Sequence, residues 1–360
     1  MNQTIRVGLL RLVDSAPMVV AQSRGLFSAN GLDVAIGIEP SWSNIVDKLT
    51  HGLLDAAVML PPLALAACAG LRGSRARLIV PLSLSQGGNT ITVASDAAVA
   101  LSGEAQSIGL LEWLRAQPTK PRFAVVHAFS THNLLLRYWL AASGVDPDTD
   151  IETAVIPPED VVEALADGAI TGFCAGAPWG SVAEERGVGR VLLGTSSIWP
   201  FHPEKCLCVG QAWAEASPNA LCALLRSVLR AQVICDDPAQ ADGIAELLAA
   251  PDGLRLPQAA SRAALPGGHG RERIRFHEHE AWFPAHAHAQ WFLAQMHRWG
   301  WLDPNEDLAA LTAQVYRPDL LAPAVEAERL HSVTDLPALE RSAMLPRPQE
   351  PAFDNGLRRR

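Results

Sequence analysis

The segment FSTHNLLLRYWLAASG places a histidine where a helix is predicted to begin. Apolar residues recur along it at the spacing of one helical face, and Gly144 suits the position just past the helix end. Ser130 or Thr131 is the predicted N-cap, so His132 lies in the first turn. Free N–H groups and the positive end of the helix dipole favour an anion there and disfavour an imidazolium. We therefore predict that His132 is neutral and donates an N–H to an anion; a histidine that only packs is the alternative.

The segment WPFHPEKCLCVG carries one lysine, Lys205, between a proline-punctuated turn and an apolar strand. An unpaired charge inside a protein is costly, so a lysine that enters a buried strand should have an anionic partner. Lys205 is therefore a candidate residue for holding an anion. A lysine at a strand end that faces water is the alternative.

Two further stretches offer suitable groups at the ends of predicted strands. In SQGGNTITV, two glycines permit close backbone approach, and Gln86 or Asn89 could offer a side-chain amide. In SWSN, Trp42 lies at a helix entrance, where its ring would form a flat wall for a planar ligand. An ordinary loop and a core tryptophan are the respective alternatives.

The segment HEHEAWFPAHAHAQWF has the composition of a metal site but not its spacing. His277 and His279, like His286 and His288, are two residues apart, which separates them by about 200° on a helix. Neither a P-loop nor a G-x-S-x-G motif occurs, and no nucleophile–base pair is evident. We predict no metal, no cofactor and no catalytic residue.

Composition and cysteine usage limit the functional classes to which the protein can belong. The 360 residues carry a formal net charge of −9, which argues against direct nucleic-acid binding, because phosphate contacts need concentrated Lys and Arg. No apolar run approaches the roughly 18 residues that span a bilayer. The six cysteines lie in apolar stretches and are predicted to be buried reduced thiols. A strand pattern begins at Ile5 without a preceding signal peptide, so we expect a cytoplasmic protein.

Strand and helix patterns alternate through the first ninety residues, which predicts a parallel sheet with helices on both faces. The alternation then restarts, and the chain becomes mostly helical after Gln211. We predict two α/β lobes: residues 1–90 with 211–340, and residues 91–210. Residues 341–360 are predicted to be a mobile tail. Ligands of such folds bind at the carboxyl ends of strands, a position that the stretches PSWSN, SQGGNT and AFSTHN occupy.

The chain resembles the type II solute-binding proteins of the nitrate/bicarbonate group, from about residue 5 to about residue 335. The segments that carry the resemblance include SAPMVVAQSRGLF, PSWSNIVDKL, THNLLLRYWLAASGVDPDTDI, GFCAGAPWG and HPEKCLCV. The resemblance implies a two-lobed α/β fold of the type II periplasmic-binding-protein kind, with the ligand in the interlobe cleft. GAPW departs from the family's usual GEPW at Ala177.

By the same resemblance, the residues that would hold nitrate or nitrite are Trp42, Asn89, Thr131, His132 and Lys205. The bicarbonate members are said to replace the lysine with an acidic residue that holds calcium, so Lys205 points to nitrate or nitrite. Either Gln86 or Asn89 would supply the amide contact.

The resemblance extends to cytoplasmic nitrate sensors of the NasS type. It implies that the ligand-free protein sequesters an RNA-binding antiterminator of the ANTAR type and that nitrate or nitrite releases it, which regulates nitrate assimilation. The substrate-binding subunit of an ABC transporter is the first alternative. An enzyme on the same fold is the second, and we predict that the chain is not an enzyme.

Overall fold

Two β-sheets, each covered by helices, form the computed structural model, which describes residues 4–101 and 112–328. The described strands are β1 (Ile5–Leu9), β2 (Val34–Ile38), β3 (Ala56–Met59), β4 (Leu78–Gly87), β5 (Asn89–Ala94), β6 (Arg122–Val125), β7 (Glu152–Val155), β8 (Gly172–Gly176), β9 (Gly189–Gly194), β10 (Pro203–Gly210) and β11 (Ile274–Arg275). The predicted mobile tail, residues 341–360, lies wholly outside the described residues.

The α-helices lie between and after these strands. They are α1 (Ala16–Ser23), α2 (Leu26–Ala29), α3 (Trp42–Thr50), α4 (Pro61–Cys68), α5 (Ser95–Leu101), α6 (Thr131–Ala142), α7 (Val161–Ala166), α8 (Trp179–Glu185), α9 (Gln211–Ala216), α10 (Pro218–Asp236), α11 (Ala241–Ala249), α12 (Gln258–Ala264), α13 (His286–Arg298), α14 (Leu308–Val315) and α15 (Ala322–Glu328). Residues 112–116 are also helical. No helix in the described part of the chain has the length and apolarity that crossing a membrane requires.

The first sheet has the strand order β11-β4-β10-β3-β1-β2. Strands β1, β2 and β3 are parallel, as the alternation of strands and helices predicts. Strands β4, β10 and β11 run antiparallel to their neighbours, so the sheet is mixed. Both faces are buried: Ala57 and Met59 of β3 join one apolar cluster, while Ala56 and Val58 join another on the opposite face.

The second sheet has the strand order β7-β6-β8-β5-β9 and is also mixed. Strand β5 begins it immediately after β4, so the chain crosses from one sheet to the other at Gly88. Strand β10 returns the chain to the first sheet, between β3 and β4. Our assignment of residues 91–210 to the second lobe is therefore wrong at its end, because β10 is an apolar strand that belongs to the first sheet.

Helix caps fix the entrances of the two helices that carry candidate residues. The Ser41 side chain accepts a hydrogen bond from the Asn44 N–H at the start of α3. At the start of α6, Ser130 accepts from the Asn133 N–H and donates to the His127 carbonyl. Ser130 is thus the N-cap, and Thr131 and His132 are the first two residues of the helix, as predicted.

Candidate functional site

Lys205 is completely buried in β10 and lies between two carboxylates. Its Nζ is 2.7 Å from Asp14 Oδ2 and 2.6 Å from Glu204 Oε1. Burial alone would lower the pKa of Lys205, but the two carboxylates outweigh it and raise the pKa above its ordinary value. The predicted anionic partner is therefore present, and the alternative of a lysine that faces water is wrong.

Sequence reasoning missed both carboxylates. Asp14 lies in a short 3-10 helix, Val13–Ser15, soon after the carboxyl end of β1, and the strand pattern does not distinguish it from its neighbours. Glu204 precedes Lys205 directly, and alternation in a strand would place the two side chains on opposite faces. The pairing of β10 with β4 shifts register on both sides of Lys205, and this irregularity lets the two neighbours meet.

The Glu204 carboxyl contacts several of the candidate residues. Its Oε2 accepts a hydrogen bond of 2.5 Å from Asn89 Nδ2, and its Oε1 lies 3.3 Å from His132 Nε2. Burial is the largest influence on the pKa of Glu204 and raises it overall, whereas Lys205, Asn89 and Thr131 lower it. Strands β5 and β10 and helix α6 thus bring Asn89, Thr131, His132 and Lys205 together.

His132 is neutral, as predicted, but chiefly for another reason. Its side chain is completely buried, and burial, followed by the charge of Lys205, lowers its pKa well below the ordinary value. Neither ring nitrogen makes a hydrogen bond to any described residue. A neutral imidazole with unused ring nitrogens can donate one N–H to a ligand.

Trp42 opens α3 and faces Lys205. Its indole ring is buried, with its centroid 5.5 Å from Lys205 Nζ. The indole Nε1 has no hydrogen-bond partner in the described part of the chain. Trp42 therefore presents an aromatic ring and an unused N–H group beside Lys205.

Gly176, at the carboxyl end of β8, shows that these groups converge on one small space. A Cβ built on Gly176 would lie 3.3 Å from Asn89 Oδ1, 3.6 Å from His132 Nε2 and 3.7 Å from Asp14 Oδ2. The sequence gives no signal for this residue. Gly176 comes close to these groups only because segments of both lobes meet around it.

Several buried polar atoms of this region lack a hydrogen-bond partner among the described residues. Ser85 and Gln86 belong to the set because β4 pairs them with Lys205 and Pro203. The atoms are Asp14 Oδ1, Trp42 Nε1, Ser85 Oγ, Gln86 Oε1, Asn89 Oδ1, Thr131 Oγ1 and both ring nitrogens of His132. Buried polar groups are almost always hydrogen-bonded in native proteins. Their concentration around Lys205 indicates a site for a small polar ligand.

The two glycines of the β4–β5 turn have a different role from the one predicted. Gly87 and Gly88 have φ of 73° and 85°, which favours glycine. A Cβ on Gly87 would lie 2.8 Å from the Arg273 carbonyl oxygen, and one on Gly88 would lie 2.5 Å from an Ile274 side-chain carbon. The close approach is therefore to the segment containing β11 and not to a ligand.

The histidine-rich segment contributes to packing. His286 Nε2 lies 3.0 Å from the Tyr316 carbonyl oxygen, and the ring of His288 packs edge-on against Trp199 with 5.9 Å between centroids. Among the described residues, no group of three or more His, Cys, Asp and Glu side chains is arranged to hold a metal ion. All six cysteines are free thiols, and five of them are buried.

Comparison with known proteins identifies the family. Residues 2–249 match the model of the NMT1-like family. The chain belongs to that family. Among curated proteins, it is 31% identical to the nitrate/nitrite binding protein NrtA of Synechococcus elongatus over 359 residues, which cover 93% of this chain and 80% of the relative. It is 39% identical to the bicarbonate transport ATP-binding protein CmpC of the same organism over 68% of this chain and 37% of the relative.

The relatives are binding proteins and transport components, and several are longer than the region they share with this chain. The chain spans about a third to a half of the length of the curated ATP-binding relatives. Among solved structures, the periplasmic nitrate-binding protein NrtA from Synechocystis PCC 6803 superposes with a TM-score of 0.86, at 27% identity over 96% of this chain and 99% of that chain. The sulfonate-binding protein SsuA from Xanthomonas axonopodis, at 18% identity and a TM-score of 0.65, shares the fold. The predicted periplasmic-binding-protein fold is thereby confirmed.

Proposed function

We propose that the chain binds nitrate or nitrite and serves as the substrate-binding component of ABC-type import. The observation that carries the proposal is the buried ammonium of Lys205, which lies beside the unpaired N–H groups of Trp42 and His132. A planar monovalent oxyanion matches a flat aromatic wall, one ammonium and a few N–H donors. The similarity to nitrate-binding and nitrate-import proteins supports this ligand class.

The number of donors suits a small anion. Lys205 uses two of its three N–H groups for Asp14 and Glu204, which leaves one for a ligand. Trp42, His132 and the Ser85 hydroxyl can donate further hydrogen bonds. Hydrogen bonds to charged groups contribute roughly 1.5–3 kcal/mol each, so three or four of them could support a dissociation constant of about 1 µM, near −8 kcal/mol.

Titration calorimetry of the full chain tests the proposal, with nitrate, nitrite, bicarbonate plus calcium, and taurine as separate ligands. We expect binding of nitrate or nitrite and none of taurine. Lys205→Ala should abolish binding because it removes the ammonium. Gly176→Ala should weaken binding at least about tenfold, because its methyl group occupies the space between Asn89 and His132.

Two control variants separate the site from general damage. Lys120→Ala removes an exposed lysine, one of only three lysines in the sequence. Gly37→Ala adds a methyl group in β2, where its nearest neighbours lie 3.9 Å away. Both should bind as the wild type does. Circular dichroism establishes that each variant is folded, which matters most for Lys205→Ala because it leaves two buried carboxylates unpaired. A folded wild type that binds neither nitrate nor nitrite would overturn the proposed ligand, and unchanged binding by folded Gly176→Ala would overturn the proposed site.

A second candidate role is the cytoplasmic sensor that sequesters an ANTAR-type antiterminator. The observation that favours it is the chemistry of the cysteines: all six are free thiols, as is usual in a reducing compartment. Affinity purification of the tagged chain from its own cells, with and without nitrate, tests this role. An RNA-binding partner that is retained without nitrate and released by it would support the sensor. Recovery of the chain outside the cytoplasm with membrane transport proteins would support the transport role instead.

A further inference from the structure

We propose that Asp14 takes up one proton when the anion binds and donates that hydrogen to it. This inference rests on the proposed function, since it concerns the same site and a monovalent oxyanion. It makes Asp14 a binding residue in its own right and links affinity for nitrate to pH.

A bound anion would add to the negative charge that the site already buries. The site contains the carboxylates of Asp14 and Glu204 and the ammonium of Lys205, each no more than 3% exposed. With all three ionised, their net charge is −1. An added anion would raise it to −2 in a region from which water is excluded, where like charges repel most strongly. One proton returns the site to its original net charge.

The other titratable groups that face this cluster do not offset the anion. His132 on α6 and His202, next to β10, are neutral, because burial is the main cause that lowers the pKa of each, for His202 to about 4. Cys174 on β8 and Cys206 on β10 remain protonated thiols, because burial is the main cause that raises their pKa. Asp14, Glu204 and Lys205 therefore carry the charge among the described groups at this position.

Hydrogen bonding assigns the proton to Asp14. Both oxygens of Glu204 accept hydrogen bonds, one from Lys205 and the other from Asn89, and such bonds favour the ionised form. Asp14 Oδ2 accepts from Lys205, whereas Oδ1 is buried and has no partner among the described residues. Protonation of Oδ1 turns an unsatisfied acceptor into a donor, which is what an oxyanion that only accepts hydrogen bonds requires.

The electrostatics of Asp14 agree with this assignment. Burial raises its pKa, Lys205 lowers it, and the nearby charge of Glu204 raises it again, with a net rise above the ordinary value. A bound anion beside Asp14 would raise the pKa further, so the bound complex holds a proton that the free protein releases more readily.

Calorimetric titration of the full chain with nitrate, in buffers of different ionisation enthalpy, measures the protons taken up. We expect about one proton per nitrate near pH 8, and a dissociation constant that rises by up to about tenfold per pH unit as the free protein loses the proton. Asp14→Asn carries a neutral amide that already donates an N–H. It should bind nitrate with no proton uptake and little dependence on pH.

A second measurement identifies the group that accepts the proton. The infrared difference spectrum between the nitrate-bound and free protein should show a new protonated carboxyl band. Labelling the aspartate side chains with ¹³C should shift that band. A band that does not shift would assign the proton to a glutamate and overturn the role of Asp14. As a control, Glu272→Gln, which removes a buried carboxyl outside the site, should retain the uptake.

The two proposals fail in different ways. Nitrate and nitrite that do not bind at any pH from about 5.5 to about 8.5 would overturn the proposed function. Nitrate that binds the wild type without proton uptake, and with the same affinity across that range, would overturn the role of Asp14 and leave the proposed function standing.

Discussion

At the scale of single residues, the site is a cluster of paired charges rather than a free cation. Lys205 Nζ lies at hydrogen-bond distance from the carboxylates of both Asp14 and Glu204. Removing one partner of a buried ion pair typically costs about 3–5 kcal/mol, because the other charge is left uncompensated. The carboxylates therefore fix the position of the ammonium, while Trp42 and His132 keep unused N–H groups for a ligand. We therefore expect the specificity of the proposed site to depend on all five side chains and not on Lys205 alone.

Glu272 is a second buried carboxyl and gives a prediction about stability. It is completely buried and accepts hydrogen bonds from the Gly180 and Ser181 N–H groups, the Ser181 hydroxyl and the Thr90 hydroxyl. Burial is the largest influence and raises its pKa to about 7, from 4.5. Between these values the folded chain binds more protons at Glu272 than the unfolded chain does. The free energy of unfolding should therefore fall as pH rises from about 4.5 to about 7, by about 3 kcal/mol from this group.

The variant Glu272→Gln should lack that contribution. Urea denaturation of the two proteins at several pH values measures it: the difference in unfolding free energy should shift in favour of the variant as pH rises through the window. Glu185→Gln, an exposed carboxyl at the end of α8, is the matched control and should run parallel to the wild type. Parallel profiles for Glu272→Gln as well would show that Glu272 titrates in the folded chain as it does in the unfolded one.

At the scale of elements, the local sequence predicts most of what positions the site. The start of α6 follows from Ser130 and the apolar spacing behind it, because capping and periodicity act within a few residues. The same holds for Trp42 at the start of α3. Both helices begin after the carboxyl ends of strands, so local patterns place Trp42 at that edge of the first sheet and Thr131 and His132 at that edge of the second.

The remaining part of the site depends on pairing between distant segments. The irregular register around Lys205 brings Glu204 to the same side, and alternation along a strand predicts the opposite. Strand β10 returns to the first sheet although it follows a run of second-sheet strands in sequence, which is why the predicted lobe boundary at residue 210 is wrong. Gly176 gains its importance only from the groups that both lobes bring around it. Local propensity carries no information on such contacts.

At the scale of the whole molecule, burial of the proposed site predicts that a ligand enters only when the lobes separate. Trp42, His132 and Lys205 are each no more than 1% exposed. Asp14 and Trp42 follow strands of the first sheet, whereas His132 follows a strand of the second, so separation of the lobes would open the space between them. Arg11 and Glu159 form an ion pair across the same division, with Nη1 3.1 Å from Oε2.

Breaking that pair should accelerate release of the ligand. Both side chains are partly exposed, at 33% and 43%, so the pair contributes only about 0.2–1 kcal/mol to closure. Arg11→Ala should therefore raise the dissociation rate of nitrate by up to about fivefold, measured by stopped-flow tryptophan fluorescence, with a smaller difference at high salt because screening already weakens the pair. The matched control is Arg186→Ala, which breaks an exposed pair with Glu163 inside the second lobe. If both variants release nitrate at the wild-type rate, the Arg11–Glu159 pair does not hold the lobes together, and closure depends on the buried contacts around Glu204.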